Sequence, residues 1–140
     1  MHWIKLAKLL WASPCSAIGV ALAALPLSAG GKAKWSAGAL EVTYRCSLAR
    51  CGKLARELPF RGIVFGHVIL AVTSDELVLI GPHERIHVEQ YERWGPLFFL
   101  IYAVSSLWQL ASGHSPYWHN HFEVQARERS NAVNRMTRDA

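Results

Sequence analysis

Leu9 to Ala29 is a stretch of 21 positions with no Asp, Glu, Lys or Arg, preceded by Lys5 and Lys8 and followed by Lys32 and Lys34. A helix of roughly 20 apolar residues crosses a bilayer core, so the pattern predicts a membrane-anchoring helix. A basic start, an apolar run and a small-residue exit at Leu27-Ser28-Ala29 would also suit a secretory signal. The run exceeds the roughly 7 to 15 apolar residues of a signal, which favours a retained anchor. The chain then divides into an anchor or signal over 1–31, a domain over 32–128 and a charged tail over 129–140.

Beyond the anchor the periodicity shortens. Residues 38–44 alternate apolar and polar side chains, as a half-buried strand does. Residues 61–72 are rich in β-branched side chains and predict one or two buried strands around Gly66. Between them, Cys51 to Leu58 suits a short helix or turn stopped by Pro59. Thr73, Ser74 and Asp75 read as turn or capping residues. Pro82 stands where the first turn of a helix over 82–93 would place it, and Gly95-Pro96 ends or kinks that helix. Leu97 to Ala111 predicts a second, almost uncharged helix, too short for a full span and suited to a core or a membrane interface. From Phe122 a charged tail starts as helix and frays. Strands followed by helices give an α+β class.

Composition narrows the partners. Lys+Arg number 15 and Asp+Glu 10, and residues 1–62 hold nine of the basic and two of the acidic side chains. These bases are dispersed, without the aromatic and arginine platform of single-strand binders, so they read as membrane-flanking charge and exclude nucleic acid. Charged residues are 18% of the chain, low for a soluble domain at roughly 25%, which again favours the bilayer as partner. Lysines on both sides of the apolar run leave the orientation open. Cys15, Cys46 and Cys51 form no C-x-x-C, so neither a disulfide scaffold nor a cysteine zinc knuckle is indicated. Cys15 lies inside the apolar run behind Pro14, which excludes a lipidation site. Cys46 and Cys51 could bridge if the domain faced an oxidising compartment.

The chemistry concentrates in His83-Glu84-Arg85-Ile86-His87. Residues i and i+4 share a helix face, so both imidazoles reach one ion, and the intervening glutamate can take a proton from a water that the metal acidifies. Zinc hydrolases keep three protein ligands and one open position. Glu123, on a later helix and followed by Ala126 one turn on, is the chosen third ligand for zinc. His114, His119 and His121 are its rivals. Gln90, three residues after His87, is placed to hydrogen-bond a ligand. Glu89 and Glu92 suit helical pairing with Arg85 or Arg93. Tyr117 or His119 could stabilise an oxyanion. His67 suits a buried strand histidine bonded to backbone, and Trp94, Trp108, Trp118 and Tyr102 suit an interfacial belt or a core.

The motif His83 to His87 with downstream Glu123 resembles the gluzincin branch of zincin metallopeptidases. More narrowly, Gly66 to Leu70, His83 to Pro96 and Asn120 to Glu123 are similar to a family of small bacterial membrane proteins that carry this motif, over roughly residues 60–128. The narrower resemblance brings no established activity with it. What the gluzincin resemblance implies is a minimal zincin-like domain, with zinc on His83, His87 and Glu123, Glu84 as general base, and peptide-bond hydrolysis. Gln90 and Arg93 occupy positions where metzincins need histidine or glycine, and charged Arg85 departs from the usual zinc-peptidase motif. The expectation is a membrane-associated zinc metallopeptidase on a single N-terminal anchor, in a bacterial inner membrane. The alternative is a non-catalytic metal-binding or structural membrane protein.

Overall fold

The computed structural model describes residues 2–44 and 61–138. The Cys51–Leu58 segment and a Cys46–Cys51 bridge lie outside the described residues. Helix α1 runs His2–Ser28, strands β1 and β2 Lys32–Ser36 and Ala39–Thr43, strands β3 and β4 Gly62–Phe65 and Val68–Ala71. Helices α2, α3 and α4 follow at Ser74–Trp94, Leu97–Ala111 and His121–Arg138. The class is α+β, and α1 is long and apolar enough to cross a membrane.

The four strands form one mixed sheet in the order β1-β2-β4-β3, with β2 and β4 parallel and the outer pairs antiparallel. Strand β1 was not expected from Lys-Ala-Lys-Trp-Ser. It exists because Ala37 and Gly38 both take positive φ, 46° and 84°, the backbone of a tight two-residue hairpin that pairs Ser36 with Ala39. Its lysines suit an exposed sheet edge. The expected apolar segment over 61–72 is a hairpin turning at Gly66 (φ 59°) and His67.

Each sheet face has its own cover. Val42, Val68 and the half-buried Leu40 and Leu70 pack with Ala23 of α1. Val64 and Ile69 pack with Val88 and Tyr91 of α2, Phe98 of α3, and Ala12 and Cys15 of α1. Small side chains at Ala12, Cys15, Ser16, Gly19 and Ala23 form the inner stripe of α1. That stripe permits close approach: a Cβ on Gly19 would lie 2.6 Å from the Val68 Cβ. Large apolar side chains, Ile4, Leu10, Ile18, Val20 and Leu25 among them, point outward.

Helix α2 corrects two expectations. It begins eight residues before Pro82, because the Thr73 side chain accepts from the Glu76 amide at 3.1 Å and Asp75 and Glu76 occupy its positive first turn. Pro82 therefore sits in the helix interior, and the turn it weakens is solvent-facing, with Val78 and Leu79 77% and 70% exposed. The expected pairing of Glu89 and Glu92 with Arg85 or Arg93 does not occur. Glu89 pairs with Arg129 of α4 at 2.6 Å, and Glu92 pairs with Lys8 of α1 at 2.7 Å. Arg85 turns toward the sheet, to Glu41 and to Ser36. The charged motif position thus ties α2 to β1 and β2. The tail is also more regular than expected, with α4 helical to Arg138.

Candidate metal centre

Two helices carry the candidate ligands. His83 and His87 lie one turn apart on α2, and Glu123 lies at the third position of α4. That start is defined by Asn120, which is wholly buried: its Oδ1 accepts from the Phe122 amide at 2.9 Å, as a helix N-cap does. Its Nδ2 donates to the Tyr102 carbonyl at 3.1 Å and to Ser106 Oγ at 2.7 Å, so α4 begins against α3. Gln90 then locks α4 to α2. Its Nε2 donates to Gln125 Oε1 at 2.8 Å and to the Phe122 carbonyl at 3.2 Å.

This orientation of Gln90 leaves its Oε1 as an acceptor, 2.8 Å from His87 Nδ1. The His87 proton therefore belongs on Nδ1, and the lone pair on Nε2 is directed into the site. His87 Nε2 lies 3.2 Å from His83 Nε2 and 3.3 Å from Glu123 Oε1, and His83 Nε2 lies 3.2 Å from Glu123 Oε2. Ligands bonded at roughly 2.0–2.1 Å around a tetrahedral ion stand about 3.3 Å apart. The spacing, and the two-imidazole, one-carboxylate donor set, could hold a divalent metal ion.

Among the described residues, this is the group of His, Cys, Asp and Glu that could hold a metal. His114, His119 and His121 are not part of it: all three are exposed, and the rings of the first two meet at a tilt of 31° with centroids 5.0 Å apart. His67 does not face the metal centre either. It is a buried turn residue, but its ring meets Ser16 Oγ at 3.5 Å and Glu92 at 3.3 Å rather than backbone.

The electrostatics divide the two carboxylates. Burial alone would raise Glu123, but contacts from His83, His87 and Tyr102 hold its carboxyl well below the usual range, as an anion. Burial raises Glu84, against the opposing pull of the two histidines. Burial would depress His87, and Glu123, Glu84 and Gln90 more than reverse it. The Tyr117 hydroxyl is pushed up to about 12, by burial first and by Glu123 and Glu84 next, so it remains a donor at neutral pH.

A cavity of about 930 Å³ opens onto these groups, lined by all four residues of β3, by His83, Glu84, His87 and Glu123, and by Tyr91, Phe98, Phe99, Tyr102, Tyr117, Trp118 and Arg127. Strand β3 comes this close because Gly62 has no side chain. A Cβ there would stand 2.4 Å from Ile80 Cδ1 and 3.2 Å from Glu84 Oε1. Tyr102, which the sequence suits to an interfacial belt or a core, packs against the core and donates to Glu123 Oε1 at 2.8 Å. It lies four residues after Phe98, on the face of α3 that the structure packs on the His87 ring, and the sequence carried no signal of its bond to Glu123. Arg127, one turn beyond Glu123, had no role in the sequence reading.

The chain matches no family model, no curated protein and no solved structure.

Proposed function

We propose that the protein is a membrane-associated zinc hydrolase that cleaves peptide bonds, with a minimal zincin-like domain held on a bacterial inner membrane by α1. The observation that carries this reading is the 3.2–3.3 Å mutual spacing of His83 Nε2, His87 Nε2 and the Glu123 carboxylate, beside a second carboxylate, Glu84, that binds none of them. His83, His87 and Glu123 hold the ion. When bound, zinc acidifies a water toward neutrality and polarises the carbonyl to be attacked.

Glu84 takes the proton of the attacking water and returns it to the leaving amine. Its burial suits that exchange, since a carboxyl whose affinity for protons is raised accepts one more readily. Tyr117 stays protonated and supplies a hydrogen bond to the oxygen that gains charge. Gln90 holds the His87 tautomer, and Tyr102 holds Glu123. Strand β3 is an end strand of the sheet and lines the cavity, so an extended peptide can pair with its outer edge, which no strand among the described residues covers, its apolar side chains meeting Phe65, Phe98 and Phe99.

The test is the zinc content of detergent-purified full-length protein together with cleavage of a peptide pool. Wild type and Glu84→Gln should each hold about one zinc per chain, and His87→Ala and Glu123→Ala should lose it. Wild type alone should cut. Zinc bound equally by all four proteins, or cutting by Glu84→Gln at the wild-type rate, refutes the assignment.

A further inference from the structure

We propose that Arg127 is a carboxylate-receiving residue, so that the peptide bound in the cavity carries a carboxylate within about two residues of the bond presented to Glu84. The inference rests on the hydrolase reading above and names the substrate class of that site. Arg127 Nη1 is buried and has no hydrogen-bond partner among the described residues. The rest of the guanidinium is fixed: Nη2 donates to the Trp118 carbonyl, and the group stacks on the Trp118 ring with 5.1 Å to its centroid. Arg127 and Trp118 both line the cavity that holds the metal centre.

Neighbouring arginines have carboxylates of their own. Arg85 pairs with Glu41 and Arg129 with Glu89, and Arg61 lies 3.8 Å from Glu76. No such pair forms at Arg127 among the described residues, although Glu123 is only one turn away on the same helix. The reason is that both Glu123 oxygens are already engaged, by His83, His87 and Tyr102. A guanidinium with a dry, unused N–H is costly in the absence of an anion and binds one strongly when it arrives. The four-residue step from Glu123 to Arg127 is roughly 6 Å along a helix, about two residues of an extended peptide at roughly 3.3 Å each. Apart from Arg61, whose side chain lies 3.8 Å from Glu76, and the groups of the metal centre, the remaining lining is mainly aromatic and aliphatic, so the rest of the segment is mainly apolar.

Two sources could provide the carboxylate, the peptide's own C-terminus or an acidic side chain. The experiment uses full-length Glu84→Gln protein in detergent, loaded with zinc, and three fluorescein-labelled probes read by anisotropy. The probes are an apolar tetrapeptide with a free C-terminus, the same peptide amidated, and an amidated version containing one glutamate. At least one carboxylate probe should bind about tenfold or more tightly than the plain amide, the scale of one charge-assisted bond. Which carboxylate probe wins identifies the source. Adding Arg127→Gln should abolish the preference with zinc content unchanged, and Arg127→Lys should keep part of it. Equal binding of carboxylate and amide, no binding of any probe, or a preference that survives Arg127→Gln overturns the proposal. A carboxylate preference in protein that binds no zinc leaves Arg127 standing and removes the hydrolase reading, whereas zinc-dependent cutting with no preference does the reverse.

Discussion

Replacing Asn120 by alanine tests whether the start of α4 is what holds Glu123 in place. The wild-type side chain makes three bonds from a wholly buried position: it caps the Phe122 amide and ties α4 to the Tyr102 carbonyl and to Ser106 of α3. Losing an N-cap costs about 1 kcal/mol, and each of the other two bonds contributes about 1 kcal/mol net. The alanine variant should therefore be less stable by about 3 kcal/mol. For a chain of this length 1 kcal/mol moves the melting temperature by roughly 3–5 °C, so scanning fluorimetry in detergent should show a drop of about 10 °C. Asn120→Ser restores an oxygen that can cap but neither donor, and should recover about 1 kcal/mol. Since Glu123 sits in the first turn that Asn120 organises, zinc affinity should fall with stability. A drop of less than about 3 °C, a serine variant no better than alanine, or unchanged zinc affinity would refute the argument.

Three further outcomes follow from the same geometry. Gln90→Leu removes the acceptor that orients His87 and both bonds to α4, and should weaken zinc binding by about 10- to 100-fold in a competition titration; an unchanged affinity would mean that the His87 tautomer is set elsewhere. Chelation of zinc should lower the melting temperature of wild type and leave Glu123→Ala unmoved, because only a native state that binds the ion is stabilised by it. Gly19→Leu drives a branched side chain into Val68, whose Cβ stands 2.6 Å from where a Cβ would be, and should destabilise by about 1–3 kcal/mol or more; a neutral result in thermal melts would show that α1 does not lie on the sheet as described.

The parts of this fold that were legible in the sequence are those where local chemistry and tertiary packing agree. The apolar run became α1, the β-branched segment became the β3–β4 hairpin around its glycine, and Leu97–Ala111 became α3 with the expected bounds. Strand β1 was hidden because its hairpin turns on Ala37-Gly38 rather than on the Asn-Gly or Asp-Gly that signals such turns, and because its five residues, though they alternate polar and apolar, include no β-branched side chain. Pro82 misled for the opposite reason. Proline at a first turn is the commoner arrangement, and only the Thr73 cap with two acidic residues behind it shows that the helix had already begun. At the site, the spacing of His83 and His87 is a property of any helix and could be read directly. That Glu123 reaches them, rather than an exposed loop histidine, depends on Asn120 and Gln90 docking α4 against two other helices. Those are contacts across 14 to 35 residues that no local pattern carries.

The packing of α1 bears on whether the apolar segment is an anchor or a leader. Ala12, Cys15 and Ala23 are buried on the domain, Ser16 meets His67, and Lys8 pairs with Glu92. Removal after Ala29 would strip one sheet face of its cover and expose Leu40, Val42, Val68 and Leu70 together. An apolar patch of that kind on a released domain is an aggregation surface, and a segment destined for removal has no use for contacts with what remains. The packing fits the retained anchor proposed above, and on that reading it also constrains how the membrane is met. With residues 12–23 committed on one side to the sheet, only the outer half of α1 is left for lipid. Helix α3 offers a second such face, with Leu100, Val104, Leu107 and Trp108 exposed. Two apolar faces on helices of one packed unit suit a domain partly sunk in the bilayer interface better than one hanging clear of it on a stalk. On the membrane-associated reading proposed above, the cavity lined by Phe65, Phe99 and Trp118 would open to apolar peptide segments close to the membrane surface.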